Sequence, residues 1–352
     1  MGNNSFSNLP QVFTNPHTFL VVVFMLNFTV VKAVNSMQPP PDSVPLLVSV
    51  HLHVNKIYNI NSIDETYQVD GYLEYNWIDS RLKDSLTGVY ENAQVDELIN
   101  TKLWFPAFEL INVQGDKEVP NKSVEISSDG NVNYYERFFG TFDTNMDFRK
   151  FPFDNQSFKI EIEPFSYDTA ELVFTNSDII MGNLERIFTE EWEIVSEPKV
   201  SIKTHEYLED ENKEVYSQAV FEIHVKRLTG YYVWDVLFPI FIIIMASFVI
   251  FWIKDFGTQI GIGFTLMLTV VAFNFYSASI LPKLPYQTFI ETIIFIGYVF
   301  IFLGILAVTV NYRIYGNKDK PKYNKLIKIF RYLFPVSFIT LLILMFVLYG
   351  II

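Results

Sequence analysis

Two groups of residues in this chain have the types and spacing to do chemistry, and they lie in different parts of it. The first is a helix face. In the apolar run TQIGIGFTLMLTVVAFNFYSASILP, residues 258–282, steps of four and three pick out Gly261, Thr265, Leu268, Ala272, Phe275 and Ser279. If several copies ring an axis, the Thr265 and Ser279 hydroxyls can solvate an ion. Leu268 and Phe275, the bulkiest members, then form constrictions that close by dewetting. A buried helix of a four-span bundle, its hydroxyls bonded back to its own carbonyls, explains the same letters. The second group lies in EPFSYD, where Glu163 and Phe165 stand two apart at a strand end. A carboxylate and an aromatic face on one side suit a cationic amine in a partly dry place, and sandwich core is the competing reading of such aromatics.

The elements that must position these residues fall into two regions of different composition. The 352 residues are 50% hydrophobic, too apolar for an ordinary soluble protein, with the apolarity concentrated towards the ends. Phe19 to Val31 is an apolar block too short to span a bilayer, followed by Lys32 and small polar residues, so residues 1–36 read as a secretory signal or, since no Lys or Arg precedes the block, as an uncleaved amphiphilic leader. From 37 to 229 the period is two. Val48, Val50, Leu52 and Val54, then Tyr67 to Trp77, Phe158 to Ile162 and Val215 to Val225 alternate as half-buried antiparallel strands do. Gln114-Gly115-Asp116 and Ser127-Ser128-Asp129-Gly130 read as turns between them, and Gln94 to Asn100 as the one useful helical stretch. An immunoglobulin-like all-β sandwich is expected. With no Cys, it must hold by core packing rather than disulfides.

Residues 230–352 then supply an all-α bundle of four spans, 231–253, 260–280, 289–312 and 330–352, each long enough for a hydrocarbon core. Arg313, Lys318, Lys320, Lys322, Lys325, Lys328 and Arg331 face a single acid, Asp319, around a loop at 313–329. The positive-inside tendency puts that loop in the cytoplasm and the β-domain outside. Residues 1–230 carry 35 acids against 17 bases, and the remainder 4 against 9. An acidic outer domain enriches cations over a pore, or simply stays soluble, and gives nucleic acid nothing to bind.

The stretch DFRKFPFDNQSF from Asp147, ahead of four spans, resembles the signature loop of the pentameric ligand-gated ion channels, the Cys-loop receptor family. The loop's two half-cystines would fall at Thr144 and Phe158, and neither is Cys, which resembles the family's bacterial branch. Arg227 before the first span, Tyr231, Tyr232 and Pro239 within it, Leu268 at mid-pore, and LPKLPY from Leu281 agree as well. NKIY, QVDGY, PAFELINV, EPFSYD and FTLMLTVVA are most similar to amine-gated members.

The resemblance implies a homopentamer in the bacterial inner membrane, in contact with membrane lipid and with its N-terminal domain outside. A small amine agonist would bind between neighbouring sandwiches, and monovalent cations would permeate. It assigns Glu163, Phe165, Glu109, Tyr207 and Tyr216 to the principal face, with the last two flanking the acidic hairpin LEDENKEV. Tyr72, His53 and Tyr135 fall on the complementary face, Tyr135 where amine-gated members have asparagine. Asp154 and Arg227 would couple the signature loop to the first span, with Pro152 turning that loop onto Pro282 and Lys283. At the inner mouth Gly257, Thr258 and Gln259 replace the usual glutamate, leaving Asp255 and Thr258 as the selectivity candidates.

Other classes fare worse. There is no HExxH, GxSxG or phosphate loop, so neither an enzyme nor a cofactor is expected. His51 and His53, two apart, have no third ligand in view for a metal. A non-conducting, membrane-anchored amine receptor would use the same sandwich and discard the pore stripe.

Overall fold

A computed structural model describes residues 39, 40, 45–182, 187, 191–209 and 212–352. The expected signal, residues 1–36, lies outside them. The strands are β1 (Leu46–Asn61), β2 (Thr66–Ile78), β3 (Gly88–Glu91), β4 (Phe108–Leu110), β5 (Val113–Ile126), β6 (Asn131–Asp143), β7 (Asn155–Pro164), β8 (Leu172–Met181), β9 (Trp192–Ile194), β10 (Lys199–Glu209) and β11 (Asn212–Arg227). Among the described residues one sheet runs β3-β5-β6-β2-β1-β8, and the other β10-β11-β7-β4 with β9 on β11. Alternation decides which side chains face inward. Val48, Val50, Leu52 and Val54 are all but fully buried, as are Tyr75, Trp77, Phe138, Phe142, Phe158 and Phe221 from both sheets. These aromatic and β-branched residues form the core that substitutes for disulfides.

The short helix α1 (Ala93–Thr101) covers the stretch its period foretold. The Ser127–Gly130 turn joins β5 to β6, with Gly130 at φ +88 and its N–H donating to the Ser127 carbonyl at 3.0 Å. Gln114-Gly115-Asp116 is not a turn between strands. It lies inside β5, where the register against β6 jumps from Gln114↔Thr141 to Glu118↔Phe139, so Gly115 at φ +74 serves a bulge.

Four helices follow, α2 (Gly230–Trp252), α3 (Phe256–Ala278), α4 (Phe289–Tyr315) and α5 (Lys320–Leu348), each long and apolar enough to cross a membrane. Helix α2 widens into a π-turn at Val233–Leu237, two residues before Pro239. Pro239 lacks an N–H and would clash with the carbonyl four residues back, and the extra residue in the turn relieves that clash. Helix α3 packs against α2 and α4, and α5 packs chiefly against α4 and the inner end of α2. Gly263 lets α3 approach closely, since a Cβ there would sit 2.6 Å from Ile305.

The basic segment is a correction. Residues 313–329 are not a loop, because α5 starts at Lys320, well before Phe330, and only 316–319 separate it from α4. Asp319 caps it, accepting from Lys322 N at 3.1 Å, and the helix continues through its bases because their alkyl stems lie along its surface.

Candidate functional site

In the β10-β11-β7-β4 sheet the geometry converges on Glu163. Its side chain is 2% exposed and accepts three hydrogen bonds, from His205 Nδ1 at 2.7 Å, Gln218 Nε2 at 2.8 Å and Tyr207 Oη at 2.9 Å. All three donors come from β10 and β11, whose antiparallel register sets His205 opposite Tyr216. The Tyr207 ring lies 4.3 Å from His205 and 5.6 Å, edge-on, from Tyr216, so three rings crowd one carboxylate. Burial and the bond to Glu163 push the Tyr207 hydroxyl up to about 12, leaving it a neutral donor at working pH. Glu109 pairs with Glu163 across β4 and β7, which puts both carboxylates on one face, but Glu109 is exposed. Phe165 follows the strand, which ends at Pro164, so strand alternation does not set its direction. At 61% exposure it is no part of the sandwich core. Tyr216 donates to Glu214 at 2.8 Å.

The complementary candidates share a face of the other sheet. His53 pairs with Tyr72 across β1 and β2, Tyr72 with Arg137 and Glu74 with Tyr135 across β2 and β6. A pocket of about 270 Å³ opens there, lined by Tyr72, Glu91, Asn92, Lys122, Tyr135 and Arg137. Arg137 grips Asp70 with two nitrogens at 3.0 and 3.2 Å and lies over the Phe139 ring at 4.9 Å. Burial and Glu74 raise Tyr135 to about 12. His51 is engaged by Asp178 and, at 3.3 Å, by Ser49.

At the junction of sandwich and helices, Asp154 and Arg227 form a two-point ion pair at 2.9 and 3.1 Å, each 1% exposed. Arg227 lies over Trp192 at 4.2 Å and Phe151 at 4.9 Å, and donates to Ser62 at 3.3 Å. Asp154 also accepts from Gln156 at 2.7 Å, so the pair carries further hydrogen bonds of the kind buried charges require. Pro152 is buried in the same loop. The segment 281–286 meets that loop through Tyr286, whose hydroxyl accepts from Phe148 N at 3.1 Å, while Lys283 is exposed. Phe289 N, at the start of α4, donates to the Arg149 carbonyl at 3.0 Å.

Along α3, Gly261, Thr265, Leu268, Ala272, Phe275 and Ser279 are all exposed, whereas Gln259, Gly263, Val270 and Ser277 are buried. Leu268 is 69% and Phe275 73% exposed, which leaves a stripe of large apolar side chains that nothing covers among the described residues. The Thr265 hydroxyl does bond back to the Gly261 carbonyl at 2.9 Å, and Ser279 to Tyr276 at 2.7 Å. Donation leaves their oxygens' lone pairs free, so back-bonding and ion solvation coexist. Asp255 caps α3, its Oδ2 accepting from Thr258 N and Thr258 Oγ1, each at 2.7 Å, and those bonds hold its carboxyl below the usual carboxylate range.

Comparison with known proteins matches residues 30–229 to the neurotransmitter-gated ion-channel ligand-binding domain. The chain belongs to the Cys-loop family of ligand-gated ion channels. It is 27% identical to a proton-gated ion channel of Gloeobacter violaceus, over 90% of this chain and 87% of that one. It is also 27% identical to the gamma-aminobutyric acid receptor subunit beta-4 of Gallus gallus and to a beta-like subunit of Drosophila melanogaster, over 80% and 82% of its length. It spans 58% and 61% of those two subunits. This is a multi-pass membrane channel of an oligomeric, non-enzymatic family, with its ligand-binding sandwich outside.

Against that family's loop, the two cystine positions hold the channel's signature loop by other means. Thr144 Oγ1 donates to the Ser157 carbonyl at 2.9 Å, and Phe158 stacks on Tyr67 at 4.5 Å and meets Trp192 edge-on at 5.6 Å. Sequence reading missed His205, Gln218, Arg137, Trp192 and Tyr286. His205 had a signal, since it stands two before Tyr207 on the same strand face; the others depend on which strands and loops meet.

Proposed function

We propose that five copies of this chain form a cation channel opened by a small primary amine bound between neighbouring sandwiches. What supports the ligand class is Glu163, a buried carboxylate held by three donors among three rings, with the exposed Glu109 paired across from it. Carboxylate charge and ring quadrupoles attract the same sign. Glu163 anchors Tyr207 and His205, and Glu109 with Phe165 and Tyr216 receives the ammonium. Tyr72, His53 and Tyr135 close the site from the next subunit. Five exposed α3 stripes line the pore, Leu268 and Phe275 close it, and a ring of Asp255 beside Thr258 favours cations at the inner mouth. Asp154, Arg227, Pro152, Pro282 and Lys283 carry the signal between the two parts.

A concentration–response series with primary amines on Glu163→Gln tests the reading. An amide oxygen cannot serve all three donors, and the charge is gone, a loss of about 1.5 to 3 kcal/mol, or roughly ten- to a hundredfold in apparent affinity. An unshifted curve at normal surface expression removes the amine site. A second reading, the proton as agonist, is favoured by His205 Nδ1 lying 2.7 Å from Glu163. Currents from a pH drop without amine, abolished in His205→Gln, would select it.

A further inference from the structure

Behind the turn that presents Asp255 and Thr258 lies a buried amide that neither ligand binding nor the pore stripe uses. Gln259 is 1% exposed, and two residues on along α3 the stripe begins at exposed Gly261, so the Gln259 side chain points to the opposite side of the helix. An amide taken out of water costs stability unless its hydrogen bonds are met. Here the backbone of α2 meets them. Gln259 Nε2 donates to the Ile250 carbonyl at 2.9 Å and to the Ile253 carbonyl at 2.8 Å. The end of α2 needs such donors, because it closes in a 3₁₀ turn at Phe248–Trp252 and Ile253 is already extended, at φ −79 and ψ 139.

Two further bonds set the direction of the amide. Its Oε1 accepts from the Tyr323 hydroxyl at 3.4 Å, which draws the oxygen towards α5 and leaves both N–H groups facing α2. The backbone N–H of Gln259 donates to the Asp255 carbonyl at 3.0 Å, and Asp255 caps α3 through Thr258. One residue thus grips both ends of the link 253–255, Ile253 by its side chain and Asp255 by its backbone. Among the described residues no other side chain bonds to the backbone of that link. The mouth has little else to define it. Gly257 and Gly261 carry no side chain, and a Cβ at Gly261 would meet nothing within 4 Å. The charge and the hydroxyl that an ion meets there depend on where this link lies.

We propose, on the reading of the chain as a cation channel, that Gln259 is a positioning residue for ion selection. Its amide staples the end of α2 to the first turn of α3, and so fixes the place from which the Asp255 carboxylate and the Thr258 hydroxyl face a permeating ion. Without the staple, two carbonyls lose their donors and the link shifts to find others. An exposed carboxylate that moves away from the ion path loses attraction with distance and with screening by water and salt.

Unitary currents and reversal potentials of the full-length channel in a planar bilayer, under a sodium chloride gradient with a primary amine as agonist, test the staple. The wild type tests the cation reading first: reversal at the chloride potential overturns that reading and the staple with it. In a sodium-selective wild type, Gln259→Leu keeps much of the volume and removes the bonds. It should lower the sodium-to-chloride permeability ratio by about threefold or more and reduce unitary conductance, with the half-maximal amine concentration unchanged. Tyr323→Phe removes only the orienting hydroxyl and should give a smaller change in the same direction. Added to Gln259→Leu, it should change nothing more, since both act through one amide. A purely structural role would lower melting temperature and channel number while leaving the ratio and conductance of the surviving channels at wild-type values, and that result overturns the assignment. So does a shift in amine sensitivity with permeation unchanged.

Discussion

At the residue scale the decisive side chains are carboxylates whose surroundings differ. Glu163 is buried and triply bonded while Glu109, directly across the ladder, is exposed. Glu109→Gln should therefore raise the half-maximal amine concentration about tenfold with an unchanged melting temperature, whereas Glu163→Gln should shift both. Paired concentration–response and melting curves check it, and a Glu109 variant with wild-type sensitivity takes that residue out of the site. Glu163 stood out beside Phe165 in EPFSYD and Tyr207 entered only through the family resemblance; the structure brings the two together at 2.9 Å. Gln218 was not legible, since an amide on a strand declares nothing until the strand beside it is known. Arg227 follows the same logic: removing its guanidinium orphans a buried Asp154, a loss of about 3 to 5 kcal/mol. Arg227→Ala should lower both melting temperature and maximal current, and Arg227→Lys should recover only part, because an ammonium cannot reproduce the two-point bond. Wild-type gating in Arg227→Ala would make the pair ornamental.

At the element scale the spans were legible and their ends less so. Hydropathy counts apolar letters, so it placed the fourth span at Phe330. The helix begins at Lys320, because a good cap and long alkyl stems let α5 run on through its basic turns. The face of α3 could be read from period alone, since one side packs on α4 through Gly263 and the other must be small, polar or unpartnered. Whether its hydroxyls bond back or face an ion was never an exclusive choice, as Thr265 shows. Leu268, exposed on that face, should act as the constriction. Leu268→Ser should hydrate it and raise resting current, or lower the half-maximal agonist concentration by severalfold, in single-channel or whole-cell recording. Gating unchanged by a hydroxyl there would move the gate elsewhere, Phe275 first.

At the scale of the whole molecule, one chain is incomplete. A lone α3 cannot enclose water, and among the described residues nothing covers the exposed Leu268 and Phe275, so a pore there needs copies arranged head to tail around an axis. Period and hydropathy allow that ring without setting its size; five belongs to the proposed function and comes from the family resemblance. The signature loop ties the two halves through contacts no sequence window displays, Phe148 to Tyr286 and Arg149 to Phe289. The loop thereby rests on the segment that follows α3 and on the start of α4. The most direct measurement is current across a planar bilayer holding the purified protein alone, with a primary amine added to the side facing the sandwich. Discrete cation currents should appear with the amine, saturate with its concentration and vanish on washout. A bilayer that stays silent with amine and with a pH drop, at a protein density shown to be inserted and oligomeric, would contradict the channel reading.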